Sequence, residues 1–192
     1  MKNLKDYILH LDNWIPKNIL DDSIKKLSNN KTWERHTYTN PQTLEFSSQN
    51  GNKELDVCYG NNLTYLEDIH KLTWKALEKY IVIDKIGQSC FKGWSGFSQI
   101  RFNRYNKNQI MSKHCDHIVS LFEGENRGIP ILSIVAVLND NYEGGEFIMF
   151  DDYEIKFKAG DLIIFPSVFL YPHFVKPVKK EQDILLYLGR GN

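Results

Sequence analysis

Residues 131–166 read "ILSIVAVLNDNYEGGEFIMFDDYEIKFKAGDLIIFP". Four runs within it, "ILSIVAVL", "GEFIMF", "YEIKF" and "DLIIFP", are rich in β-branched and aromatic residues, and Asn, Asp and Gly clusters punctuate them. No helical pattern intervenes between them. "FSQIRFNRY" (97–105) upstream and "DILLYL" (183–188) downstream continue the texture. Six or more closely spaced strands without helices between them predict an antiparallel sandwich or jelly roll. Gly144 and Gly145, and Gly160 with Asp161, suit its turns, where positive φ or close backbone approach is required. No chemistry is assigned to Tyr142 or Glu143.

The first half of the chain reads differently. "YILHLDNWI" (7–15) fits a strand leading into a loop. "PKNILDDSIKKLSN" (16–29) spaces Ile19, Leu20, Ile24 and Leu27 helically behind a proline. Residues 36–62 are polar and predict an irregular or hairpin segment. "NLTYLEDIHKLTWKALEKYI" (62–81) predicts a second helix, with Leu63, Leu66, Ile69, Leu72 or Trp74, Leu77 and Ile81 on its apolar stripe. The expected plan is a mainly β protein with N-terminal helices packed on the larger sheet. It forms one domain over 1–192: a helical and irregular part at 1–93 and a jelly-roll core at 94–192.

Composition narrows the partners. Lys plus Arg and Asp plus Glu each total 24 among 192 residues, a balance that disfavours a dedicated nucleic-acid binder. Three cysteines, Cys58, Cys90 and Cys115, form no CxxC pair, which argues against a disulfide framework or a zinc ribbon and for a reducing compartment. The opening "MKNLKDYILHLDNWIP" is too short and too charged for a signal peptide, and no apolar run approaches the roughly 20 residues of a bilayer span. The expected location is the cytoplasm. Oligomeric state is not encoded legibly.

Chemistry concentrates in "MSKHCDHI" (111–118). On an extended chain, positions two apart share a face, so His114 and Asp116 can converge on one ion while Cys115 points away. His117, adjacent to Asp116, would face apart from it. His173 in "FLYPHFVKPV" (169–178) is the best third ligand, 59 residues after His114 and beside a strand. Two histidines and one carboxylate form the ligand set of an oxygen-activating non-haem Fe(II) site, although zinc accepts the same donors.

"RFNRYNKNQIMSKHCDH", "IPILSIVAVLNDNYEGGEFIMF" and "KAGDLIIFPSVFLYPHFVKPV" occur in order. Together they resemble the Fe(II)- and 2-oxoglutarate-dependent dioxygenases, in particular the prolyl 4-hydroxylase-like branch. The resemblance covers roughly residues 94–188, with a weaker echo in "ILHLDNWIPKNILDDSIKKL" (8–27). It implies a double-stranded β-helix of cupin type, a metal held by His114, Asp116 and His173, 2-oxoglutarate and O2 as cosubstrates, and room for ascorbate as reductant. It further implies that Tyr105, nine residues before His114, hydrogen-bonds the cosubstrate. Asn103, on the same face, matches the cosubstrate-binding asparagine of the related nucleic-acid demethylases.

One position departs from the pattern. Nine or ten residues after the distal histidine the family carries an Arg or Lys that pairs with the far carboxylate of 2-oxoglutarate, and Gln182 and Asp183 stand here. Arg190, then Arg101, then Lys180 are the candidate replacements; Lys179 is a further nearby cation. The resemblance favours a peptidyl, prolyl-type substrate, ahead of a free amino acid or small metabolite, with nucleobase demethylation third. Trp94, Phe97 and residues 36–62 are candidates to frame the substrate mouth. A zinc- or manganese-dependent cupin-like enzyme and a non-catalytic metal-binding barrel are the rival classes.

Overall fold

The computed structural model describes residues 2–39, 45–48, 50–84, 86, 96–116, 130–180 and 184–191, with Thr39, Phe46 and 184–191 as backbone alone. Seven segments build a sheet among the described residues. They are β1 (Leu9–Leu11), β2 (Glu34–Arg35), β5 (Asp56–Cys58), β6 (Arg101–Tyr105), β8 (Leu132–Val137), β12 (Leu162–Pro166) and β15 (Ile184–Gly191), in the order β1-β12-β8-β15-β6-β5-β2. A four-stranded sheet faces it, with β7 (Met111–His114), β10 (Phe147–Met149), β11 (Tyr153–Ile155) and β13 (His173–Val175) in the order β11-β10-β13-β7. Two hairpin-like pairs complete the set: β3 (Tyr38–Thr39) with β4 (Phe46–Ser47), and β9 (Glu143–Gly144) with β14 (Val178–Lys180). All the ladders among the described residues are antiparallel, most of them between strands distant in sequence.

Side-chain alternation divides the large sheet into two environments. On β8 and β12, Ile134, Ala136, Leu162 and Ile164 pack outward against the helices. Val135, Val137, Ile163 and Phe165 point into the space between the sheets, where they meet Tyr105, Met111, Phe147 and Val175. α1 (Lys17–Ser28) follows Pro16, which caps it with extended backbone, and buries Ile19, Leu20, Ser23 and Leu27. α2 (Leu66–Glu78) buries Ile69, Thr73, Ala76 and Leu77; of the two residues read as alternatives, Leu72 packs partly and Trp74 stays exposed. Each Leu or Ile taken fully out of water on this face stabilises by about 1.5–3 kcal/mol before entropy is subtracted. No helix among the described residues is long and apolar enough to cross a membrane.

The jelly-roll plan and the helix-covered sheet match the sequence expectation. β1 falls within the strand read at 7–15, whereas β2 and β5, in the part read as helical and irregular, also join the large sheet. Strands of two or three residues flanked by polar segments give too little period-two signal to be read locally. Gly144 (φ 77°) stands where a Cβ would come within 2.4 Å of the Pro177 carbonyl oxygen. Close approach, as well as turning, is therefore what that glycine allows.

Candidate metal and cosubstrate site

Strand pairing does the first assembly step. β7 and β13 are antiparallel neighbours, and His114 and His173 are direct partners across the ladder. Their rings lie side by side with centroids 4.4 Å apart. Asp116 follows just beyond the end of β7. Its Oδ1 lies 3.2 Å from His114 Nε2 and its Oδ2 lies 3.7 Å from His173 Nε2. Donors about 2.1 Å from one ion and at right angles to each other sit about 3 Å apart, so a small inward movement completes the set.

Tautomer is fixed by the backbone. His114 Nδ1 lies 2.7 Å from the Ser112 carbonyl oxygen, and His173 Nδ1 lies 3.2 Å from that of Tyr171. A carbonyl can only accept, so each Nδ1 carries a proton and each Nε2 is the ring nitrogen turned toward Asp116. Ser133 Oγ donates to Asp116 Oδ2 at 2.6 Å and meets Ser167 Oγ at 2.9 Å. Phe147 stacks on His173 at 5.4 Å and Phe165 meets it edge-on at 5.2 Å, while Tyr38 packs edge-on against His114 at 5.5 Å. The donor set is one nearly buried carboxylate, one fully buried imidazole and one partly open imidazole. That arrangement suits an ion with one accessible side.

The remaining candidates divide clearly. Tyr105 and Asn103 are fully buried, and Arg101 is half-buried on the same strand. Arg101 Nε donates to Asn103 Oδ1 at 3.1 Å, and the Tyr105 hydroxyl donates to Met111 Sδ at 3.2 Å. Burial pushes the Tyr105 phenol up, while the Arg101 guanidinium and the Asn103 side chain pull it down. The backbone of Arg190 pairs with Ser133; its side chain lies outside the described residues, as do Gln182, Asp183, His117, Trp94 and Cys90. Lys180 is exposed and paired with Glu143 at 3.3 Å, which removes it from the interior, and Lys179 is exposed as well. Phe97 packs against His70 and Trp74 of α2, so it belongs to the helix side and not to a substrate mouth.

Sequence reasoning missed the residues that hold the ligands in place. Ser133 and Ser167 were available only as buried hydroxyls in apolar strand text, "ILSIVAVL" and "DLIIFPS", where a lone polar residue demands a partner. Glu54 was not singled out. It is fully buried and accepts hydrogen bonds from the Asn50 amide and the Ser112 hydroxyl, behind His114.

Residues 100–186 match the family model described as the 2OG-Fe(II) oxygenase superfamily. A PKHD-type hydroxylase of Xylella fastidiosa (strain M12) is 42% identical over 94 residues, and one of Acinetobacter baylyi is 33% identical over 76. The first covers 44% of this chain and 40% of the relative, so the match spans about two fifths of that protein's length. Among solved structures, a Pseudomonas putida prolyl-4-hydroxylase superposes with a TM-score of 0.65 at 16% identity, covering 97% of this chain and 92% of that one. A prolyl hydroxylase from Trichoplax adhaerens, in complex with a hypoxia inducible factor peptide fragment, gives 0.63 at 14% identity over 96% and 83%. At such identities the likeness is one of fold.

Proposed function

We propose, from the membership of residues 100–186 in the 2OG-Fe(II) oxygenase superfamily, that this chain is an Fe(II)- and 2-oxoglutarate-dependent hydroxylase of the prolyl 4-hydroxylase-like kind. The observation that carries the reading is the His114–Asp116–His173 grouping, with both Nδ1 protons committed to backbone carbonyls and both Nε2 atoms facing one carboxylate. When bound, Fe(II), 2-oxoglutarate and O2 supply the oxidative decarboxylation that leaves a hydroxyl on a substrate C–H bond. The chain's own work is positional. His114 and His173 would offer their Nε2 atoms as donors, and Ser133 holds the Asp116 carboxylate at Oδ2, the oxygen that faces His173. Phe147 and Phe165 wall the fully buried His173 away from water on the inner side.

The substrate we assign is a peptide carrying a proline, with a free amino acid or small metabolite as runner-up. The neutral overall charge supports this choice over nucleic acid. The test is anaerobic addition of Fe(II) and then 2-oxoglutarate, followed by spectroscopy. A weak visible charge-transfer band supports the assignment, and its absence with Fe(II) bound removes it. Proline-containing peptides should then raise succinate release under air. Stimulation by free amino acids in their place would move the substrate to the runner-up.

A further inference from the structure

A bound 2-oxoglutarate brings two carboxylates into a space that already holds Asp116 and Glu54. An unpaired charge taken out of water costs several kcal/mol, and a guanidinium fork is the natural partner for a carboxylate. At the family's usual place for that cation stand Gln182 and Asp183. On the paired strand, Ile184, Leu186 and Leu188 of β15 stand opposite Tyr105, Asn103 and Arg101, and Arg190, whose side chain lies outside the described residues, stands opposite Ser133.

β6 carries the required chemistry at alternate positions. Arg101, Asn103 and Tyr105 share the face that looks between the sheets, whereas Arg104 points the other way, over the Trp33 ring at 4.5 Å and against Asp56 at 3.2 Å. Arg101 Nε holds the oxygen of the Asn103 amide, which turns the amide nitrogen outward as a donor. That nitrogen is fully buried and makes no hydrogen bond of normal geometry among the described residues, although the side chain lies close enough to the Tyr105 phenol to pull it down. A buried amide N–H2 without an acceptor is costly unless a ligand oxygen arrives. Beside it, the Tyr105 hydroxyl has a thioether as its acceptor, a weak partner that a carboxylate oxygen would outcompete. The Arg101 charge is felt at Tyr105, so cation, amide and phenol act within one locality.

We propose that the far carboxylate of the cosubstrate is anchored from the first strand of the barrel core. Arg101 supplies the charge, and Asn103 and Tyr105 donate hydrogen bonds. This relocates the anchor from the strand after the distal histidine to the strand before the proximal one, and it reverses the sequence-based order of Arg190 before Arg101. The inference rests on the hydroxylase reading.

The experiment measures binding, not turnover. Protein loaded anaerobically with Mn(II) is titrated with 2-oxoglutarate and with 2-oxopentanoate, a 2-oxo acid of equal chain length without the far carboxylate. Wild type should prefer 2-oxoglutarate. Arg101→Met should lower 2-oxoglutarate affinity at least tenfold, with 2-oxopentanoate and Mn(II) affinities and the circular dichroism spectrum unchanged; Arg101→Lys should restore part of the loss. Unchanged 2-oxoglutarate binding in Arg101→Met, or an equal loss for both acids, overturns the proposal. A selective loss in Arg190→Met with Arg101→Met normal overturns it in favour of the last strand. A wild type that binds Mn(II) but neither acid removes the hydroxylase reading itself, and this inference with it.

Discussion

Two histidine–aspartate groupings among the described residues gather their donor atoms closely, and they are built for opposite purposes. His114, Asp116 and His173 bring their donor atoms within 4.8 Å of one another, and so do His10, Asp12 and Asp161. In the second group the Asp161 carboxylate is already spent. Its Oδ1 accepts the Asn13 backbone N–H at 2.9 Å, and its Oδ2 accepts that of Lys158 at 2.9 Å with His10 Nε2 at 3.1 Å. Asp12 is 93% exposed, so any ion there would compete with bulk water. In the first group the backbone bonds go to the histidine Nδ1 atoms, which turns both Nε2 atoms toward the Asp116 carboxylate. Proximity gathers both clusters; where the backbone hydrogen bonds fall decides which one can hold an ion.

Asp116→Ala should break the comparison most severely. Fe(II) or Mn(II) affinity, measured anaerobically by calorimetry, should fall at least a thousandfold, about 4 kcal/mol, and turnover should vanish. Thermal stability should hold, because a carboxylate beside two imidazoles is removed. Retained metal binding would mean that the grouping has been misread. Next in size is Asp161→Ala, which removes the charged acceptor of two part-buried backbone N–H groups, those of Asn13 and Lys158. Unfolding free energy should drop by about 2–4 kcal/mol, with metal affinity at the wild-type value. Ser133→Ala probes the support of the first group. Losing the hydroxyl that grips Asp116 should weaken metal binding 10–100-fold, by analogy with other outer-sphere ligand partners, and a wild-type value would assign that hydroxyl to packing alone.

How much of this was readable depends on distance along the chain. The turn role of Gly160 and Asp161 was legible because a GD pair between two β runs has a local cause; Gly160 indeed adopts φ 93° and Asp161 closes the turn through Lys158. The relation of His114 to Asp116 was legible from spacing, but for an approximate reason. β7 ends at His114, so Asp116 reaches the site from beyond the strand, with the Ser133 hydroxyl drawing it in. Strand alternation gave the right neighbours without the right cause. The contribution of residues 36–58 was not legible. Tyr38 and Glu54 come to His114 through β2 and β5 docking onto the edge of a seven-stranded sheet, and pairing across fifty residues leaves no period in the sequence. The same limit hid Ser133, whose partner Asp116 lies beyond the end of a strand of the other sheet, and Ser167, which meets Ser133.

The smallest expected effect comes from His10→Gln, and it tests the contrast from its weak side. His10 is a third exposed, and its ring touches Asp161 at 3.1 Å and Phe157 at a centroid distance of 5.8 Å. If the second group were a metal site, replacing its sole imidazole would cost a measurable share of total metal uptake. If it is a turn clamp, Asp161 keeps both backbone N–H bonds, and Gln can still donate an amide proton to Oδ2. A partly exposed contact of this kind is worth about 0.2–1 kcal/mol. Unfolding free energy from a urea titration should therefore fall by no more than about 1 kcal/mol. Metal stoichiometry should stay at one ion per chain in wild type and variant alike. A stoichiometry of two in wild type that drops to one in His10→Gln would make both groupings metal sites and end the distinction drawn between them.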